Sequence, residues 1–456
     1  MISLLEVAER ARSGPKMDVK DWDLGLFRKI EELKKRHRLN CGGETASFSL
    51  NHDLADRAFE AAVDFLSEMG AYCISSGRAI QFTEEEVKEA VRDSPSEFIV
   101  GEGRDARLIR KRIVEDKRFT NVIGGLHAPY SEDLSWIVPK NFAQVPRSDI
   151  IEGFNTTTVD GREIYGLPIE AYAGRRELAW MREGVRKAGR PGMAVCYYPI
   201  STRASTLIAP MDPEYGLRRT DGILLSILPD IKVEYDLLTA AIVYQDYGAF
   251  RENGGGGASI GGFCGGSEGA VVEAIVKCIA AWMIYRDLLH NVGVSRLAIG
   301  SDVAGTPCVL QTSIVHEALC RNTNLVLFGG VGTGGVGPGS EMCLREKALS
   351  AFVSTITGSN LYIPRAFRPN LDEGQTPLEV EFMVEVSDAT LKAGIRRKEG
   401  SRIVKRMCER YVGKPIPTSK SIRECYDLIR HRPSREYEET YERVKDDLVE
   451  MGLRFE

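Results

Sequence analysis

Between residues 119 and 366, short β-rich runs alternate with amphipathic helical patterns, and this alternation constrains the fold more than any other feature of the chain. The candidate strands are 119–124 (FTNVIG), 150–158 (IIEGFNTTT), 193–198 (MAVCYY), 238–244 (LTAAIVY), 258–263 (ASIGGF), 296–300 (RLAIG), 324–328 (NLVLF) and 360–363 (NLYI). Helical patterns fall between most of them, at 175–188, 268–291 and 341–354. Strands regularly spaced by helices imply a mostly parallel sheet. Their number and the length of the region, about 250 residues, fit an α/β (β/α)₈ TIM barrel. A doubly wound open sheet is the alternative.

The flanks read differently. Residues 1–118 form a helical N-terminal extension, with helices expected at 21–39 (Asp21 as cap), 52–69 and 83–92, the last opened by the capping-box run Thr83-Glu84-Glu85-Glu86. The barrel core then occupies 119–366. Residues 367–456 form a helical segment packed on it, with helices at 376–393, 401–411 and 436–451.

Charge and apolar patterning exclude whole classes of function. Lys and Arg number 60 against 65 Asp and Glu, a net charge of −5, so a nucleic-acid backbone is not the expected partner. The longest apolar run, 270–285, is interrupted by Glu273 and Lys277 and reads as a buried helix, not a membrane span. The N-terminal apolar patch is too short for a secretory signal. The ten cysteines are scattered without CxxC spacing, as reduced cytoplasmic thiols are.

Local motifs name no reaction. Two glycine clusters stand out, at 254–266 and 329–339. The second contains a literal GxGxxG at Gly330, Gly332 and Gly335, but Pro338 and Gly339 delay the following helix and no acidic residue lies about 20 residues beyond, so a dinucleotide loop is not expected. Small residues at the mouth of a barrel, leaving room for something bulky, are the plainer reading. His316 and Cys320 share a helix face at i,i+4 without a third ligand, and read as structural.

The run Ala188-Gly189-Arg190-Pro191-Gly192-Met193 resembles the active-site strand of the archaeal monomethylamine:corrinoid methyltransferases, in which pyrrolysine follows after two intervening residues. Here that position is Cys196. Supporting matches run the length of the chain, among them Asp21-Trp22-Asp23-Leu24, Gly103-Arg104-Asp105-Ala106, Ser131-Glu132-Asp133, Glu341-Met342-Cys343-Leu344 and Glu424-Cys425-Tyr426-Asp427. The resemblance implies a TIM barrel, a cytoplasmic homo-oligomer linked to methanogenesis, and transfer of a methyl group from a small methylated amine to the Co(I) of a corrinoid carried by a separate protein. No cofactor is then bound by this chain itself.

The pocket departs from the family. Cys196 has no imine to add an amine. The family's two acidic residues beside pyrrolysine align with Leu224 and Gly255, and its pocket Gln and Tyr with Val331 and Thr333; Glu252 offers a carboxylate near Gly255. A neutral amine leaves badly, whereas a quaternary ammonium or a sulfonium already carries the charge that methyl transfer needs, so the expected donor is a small methylated amine, with a quaternary one among the candidates. On a strand Cys196 and Tyr198 share one face and Tyr197 takes the other. Tyr198 can then contact a methylated cation. Three roles stay open for Cys196: filler, a thiolate that relays a group, or a zinc ligand. The alternative to an enzyme is a barrel that has lost catalysis and serves as a ligand-binding or scaffold protein.

Overall fold

The computed structural model describes residues 1–41, 47–126, 128–166, 168–255, 257–296, 306–331, 336–363 and 372–455. Eight short strands run parallel around one barrel. They are β1 (Val122–Gly124), β2 (Ile150–Glu152), β3 (Ala194–Tyr197), β4 (Gly222–Leu224), β5 (Phe250–Asn253), β6 (Leu289–Asn291), β7 (Val326–Phe328) and β8 (Leu361–Ile363). Each pairs with its sequence neighbour, and β8 pairs with β1. The ring closes between β7 and β8 through a parallel bridge, Phe328 to Asn360. There the Gly329 N–H donates to the Asn360 carbonyl (3.1 Å) and the Asn360 N–H to the Leu327 carbonyl (3.0 Å). The open-sheet alternative is thereby excluded.

A helix follows every strand: Ile137–Ala143, Ile169–Lys187, Ala204–Ile208, Tyr235–Tyr247, Ser267–Tyr285, Thr306–Asn322, Glu341–Thr357 and Pro377–Ala393. The Ser267–Tyr285 helix is buried on all sides, because helices Val19–Arg36 and His52–Glu68 cover the face it turns away from the barrel. Its two interior charges answer each other: Lys277 pairs with Glu273 at 3.1 Å and donates to the Gly257 carbonyl at 3.0 Å. Among the described residues no helix is long and apolar enough to cross a membrane.

Two of the expected strands are corrected, and a third, 296–300, lies beyond Arg296 outside the described residues. Residues 238–244 lie inside the helix Tyr235–Tyr247, which ends on left-handed Gly248 (φ 105°). Ala258–Ile260 is a strand, but it pairs with Val294–Arg296 outside the barrel. Their places in the ring belong to β4, β5 and β6. The helix expected over 268–291 stops at Tyr285, leaving room for β6. Asp18, not Asp21, caps Val19–Arg36 by accepting from the Lys20 N–H. The Thr83–Glu86 capping box is present as expected.

The N-terminal region also supplies strands that its helical reading lacked. The hairpin Glu97–Val100 with Arg107–Arg110 closes the N-terminal end of the barrel. Val100 and Ile109 enter the lumen and pack with Ile123, Ile150, Ala194, Phe250, Leu289 and Val326. Phe98 lies against Phe250 with ring centroids 5.7 Å apart. Gly222 makes the space for that ring: a Cβ there would sit 2.1 Å from Phe250. The lower half of the lumen is thus a dry apolar core, and anything polar must sit above it.

Candidate functional site

Alternation along the strands decides what reaches the upper lumen. On β5, Phe250 faces inward, so Glu252 does too; on β2 the same parity brings in Ile150 and Glu152. On β3, Ala194 and Cys196 face the lumen, and Tyr197 points into the helix layer, over Gly174 and beside Pro210. Cys196 stands in register with Glu152 on one side and Gly222 on the other. Tyr198 continues the inward face beyond the strand, and Tyr362 enters from β8.

These side chains form one hydrogen-bonded group around Glu252. The Cys196 thiol donates to Glu252 Oε2 at 3.2 Å, and the Tyr198 hydroxyl donates to Oε1 at 3.4 Å. Tyr362 lies 3.3 Å from the Tyr198 oxygen, and since Tyr198 spends its proton on Glu252, Tyr362 is the donor between them. The Glu152 carboxyl lies close enough to Glu252 for the two groups to influence each other's protonation. Both glutamates, and Cys196 with them, are fully buried.

Burial sets the protonation. It drives the Glu152 carboxyl well above the usual carboxylate range, with the Glu252 charge adding to the shift. Glu252 is raised by burial too, but its interactions with Glu152, Cys196 and Tyr198 oppose the rise. Of the pair, Glu252 gives up its proton first and Glu152 holds its proton longer. Burial, then the charges of Glu252 and Glu152, push the Cys196 thiol far above its ordinary value, so the sulfur holds its proton. Tyr198 is raised in the same way, by burial and by Tyr362, Glu252 and Glu152.

No Lys, Arg or His among the described residues forms an ion pair with Glu252, and no cation enters the causes of its shift. The nearest arginine clamp lies elsewhere: Arg182 and Arg218 both bind Asp221, ahead of β4. The side-chain donors to Glu252 among the described residues are a thiol and a phenol. Beside it stands an aromatic wall, in which Tyr362 meets Phe328 edge-on at 5.1 Å. Among the described residues no group of three or more His, Cys, Asp or Glu is arranged to hold a metal ion.

The other residues singled out in the sequence fall in varied places. Leu224 shares the inward parity of Gly222 and lines the mouth next to Tyr198; a Cβ on Gly254 would strike Leu224 at 2.1 Å and approach the Tyr198 hydroxyl at 3.2 Å. Gly254 is thus the glycine that keeps this corner open. Gly255 instead turns to the neighbouring loop, its N–H donating to Ser226 Oγ at 3.0 Å. Val331 is buried in the main hydrophobic core, apart from the lumen cluster. Thr333, with Gly332 and Gly335, lies outside the described residues. Both glycine clusters begin directly after a strand, β5 and β7, at the C-terminal end of the barrel. His316 is structural, bonded to Thr357 Oγ1 (2.7 Å) and the Val292 carbonyl (3.0 Å), and Cys320 donates to the Arg112 carbonyl.

Glu152 and Tyr362 escaped the sequence reading. Each sits in an expected strand at the right parity, and a glutamate closing the apolar run Ile150-Ile151 was the available signal. The run Ser131-Glu132-Asp133 proves architectural. Arg423 ties Ser131 and Asp133 to Glu373, and Glu132 accepts the N–H groups of Asp160 and Gly161. Loops after β1 and β2 are thereby fastened to each other and to the C-terminal segment.

Comparison with known proteins agrees with this architecture. Monomethylamine methyltransferase MtmB2 of Methanosarcina acetivorans is 29% identical over 98% of this chain and 97% of its own length. Monomethylamine methyltransferase MtmB1 of Methanosarcina barkeri is 28% identical over the same shares. The crystal structure of the Methanosarcina barkeri enzyme superposes with a TM-score of 0.92, at 27% identity, over 99% of this chain and 98% of that one. A second structure, a hydroxylamine complex of MtmB, superposes equally well, with a TM-score of 0.92. The sequence pattern described as "Monomethylamine methyltransferase MtmB" matches residues 2–453, and the chain belongs to that methyltransferase family.

Proposed function

We propose that this protein moves a methyl group from a small quaternary ammonium compound to the Co(I) of a corrinoid carried by a separate protein, working as a cytoplasmic homo-oligomer. One observation carries the reading: Glu252 is a fully buried carboxyl group without a cationic partner among the described residues, and it would ionise at once beside an arriving cation. A buried charge left uncompensated is costly, and a cation arriving from the mouth would relieve it. Faces of tyrosine and phenylalanine rings attract methylated cations as well.

The hydrogen bonds favour a donor without N–H groups. A carboxylate offers about four lone-pair sites. Those of Glu252 largely face Cys196, Tyr198 and Glu152. A protonated primary amine would bring three N–H donors into a site short of acceptors, whereas a quaternary ion asks only for charge and contact. Held against Glu252, it would present a methyl carbon to the mouth. Cys196 then acts through Glu252, as a neutral donor that fixes the carboxylate, and needs neither thiolate nor zinc.

The test is methyl transfer to a Co(I) corrinoid protein, assayed over tetramethylammonium, other quaternary ions and mono-, di- and trimethylamine. Transfer from one or more quaternary donors, and at least about tenfold less from monomethylamine, is expected. Cation binding without transfer to any acceptor would assign the barrel to ligand binding or scaffolding instead. Transfer from monomethylamine alone would overturn the charge reasoning.

A further inference from the structure

We infer that Leu224, with Gly254 beside it, sets the size limit on the methyl donor: the wall it forms takes a methyl substituent on nitrogen and refuses a longer one. The inference rests on the function proposed above and concerns the same lumen. It starts from strand register. Leu224 on β4 stands directly opposite Glu252 on β5. Both face inward, Leu224 by the parity of Gly222 and Glu252 by that of Phe250. Neighbouring strands lie about 4.8 Å apart, so the Leu224 side chain is the immediate apolar neighbour of the Glu252 side chain on that side. Along β4, Gly222 and Ile223 are buried and Leu224 is only partly so, which puts it where the strand reaches the mouth.

A second observation shows how full this corner is. A Cβ on Gly254 would sit 2.1 Å from Leu224 Cδ1 and 3.2 Å from the Tyr198 hydroxyl oxygen. The Gly254 backbone is not left-handed, so space alone demands the glycine. Leu224 and Tyr198 therefore close on one point from two sides, and Tyr198 is the phenol that donates to Glu252.

A quaternary nitrogen is tetrahedral. With one methyl turned to the mouth for transfer, three substituents face the walls. Tyr198 and Tyr362 are tied to each other by a hydrogen bond, and Tyr362 packs edge-on against Phe328, so those walls do not yield. Leu224 takes no part in the hydrogen bonds at Glu252. The site thus separates its two demands: Glu252 reads charge, and Leu224 reads size. One methylene against an apolar wall is worth about tenfold or more in kcat/KM.

The test compares tetramethylammonium with ethyltrimethylammonium and propyltrimethylammonium as donors to a Co(I) corrinoid protein. The wild type should prefer the tetramethyl ion to the propyl ion by at least about tenfold in kcat/KM, and Leu224→Ala should shrink that preference by at least about tenfold. Because the ions are compared within each variant, a general loss of activity cancels. Gly254→Ala should lower kcat/KM for every ion, and most of that loss should vanish in the double variant with Leu224→Ala, where the added methyl has room. Should Leu224→Ala not fold, Leu224→Val makes the same comparison over a smaller change, with about threefold expected. An unchanged preference in a folded Leu224 variant that still transfers methyl groups, or strictly additive effects of the two substitutions, would overturn the size limit and leave the methyl transfer standing. Absence of transfer from every quaternary donor by the wild type would sink both.

Discussion

The two halves of the barrel lumen are built from the same strands and put to opposite uses. On β5, Phe250 fills the lower half against Phe98 and Gly222, and Glu252, two residues on, anchors the polar group above. On β3 the pair is Ala194 and Cys196; on β2 it is Ile150 and Glu152. One step of inward parity separates residues that only pack from residues that hold charge. The apolar floor lets the polar half exist: without water beneath it, a carboxylate keeps its few donors and its demand for a cation.

The largest expected effect comes from breaking the floor. Phe250→Ala removes a buried ring and should cost about 3–5 kcal/mol of stability, seen as a lowered Tm. Below that Tm, affinity for a quaternary ion should change little, because Glu252 and its donors lie above the void. Loss of binding in a variant that is still folded would show that floor and site are one unit.

Glu252→Gln should do the reverse. Cation affinity should drop by about 2–5 kcal/mol, the range for removing one member of a buried charge pair, read by calorimetry. Stability should not fall, and its pH dependence should flatten. The sign follows from the raised carboxyls. Between the unfolded carboxyl range and the higher folded value, the native state holds more protons than the unfolded chain. Wild-type stability therefore declines as pH rises through that window and is fully present below it. Replacing Glu252 removes a burdened acid and its charge on Glu152, so the variant should gain on the wild type at pH 8 relative to pH 4. A steeper decline in the variant would contradict this order of ionisation.

How much of this was legible in the sequence follows the same division. β1, β2, β3, β7 and β8 carry apolar runs and were found. β4, β5 and β6 read Gly-Ile-Leu, Phe-Arg-Glu-Asn and Leu-His-Asn, too short and too polar to register. Substitutes such as 238–244 took their place, so the expected number of strands was right for partly wrong reasons. That apolar heptapeptide is helical with one face buried, at Leu238, Ala240, Ala241 and Tyr244, while Thr239 stays exposed; a run this short and apolar is not assigned to helix or strand by periodicity alone. The strand with Glu252 lost its signature by carrying chemistry. Resemblance placed Cys196 correctly on the lumen face, but parity on β5 makes Gly254 and Glu252 the inward residues, where alignment had pointed to Gly255. The meeting of Glu152 with Glu252 depends on barrel closure, which local pattern does not encode.

The smallest effect is expected at Cys196, the position that first drew notice. Its thiol gives one weak hydrogen bond to Glu252, while Tyr198 gives another. Cys196→Ala removes that bond and leaves the carboxyl with its other donors, so methyl transfer should fall by roughly tenfold or less, about the worth of one ordinary hydrogen bond. Cys196→Ser keeps a donor and should recover most of the loss, which a role in packing alone would not produce. Because burial and two carboxyls hold the thiol protonated, alkylation of Cys196 in the native protein should be slow at pH 8 and faster in Glu252→Gln, where one of those charges is gone. Abolished transfer in Cys196→Ala would make the sulfur a nucleophile or a ligand. Loss of wild-type activity on chelation, restored by zinc, would choose the ligand. Either result would move the centre of the site from Glu252 to the strand that bears Cys196.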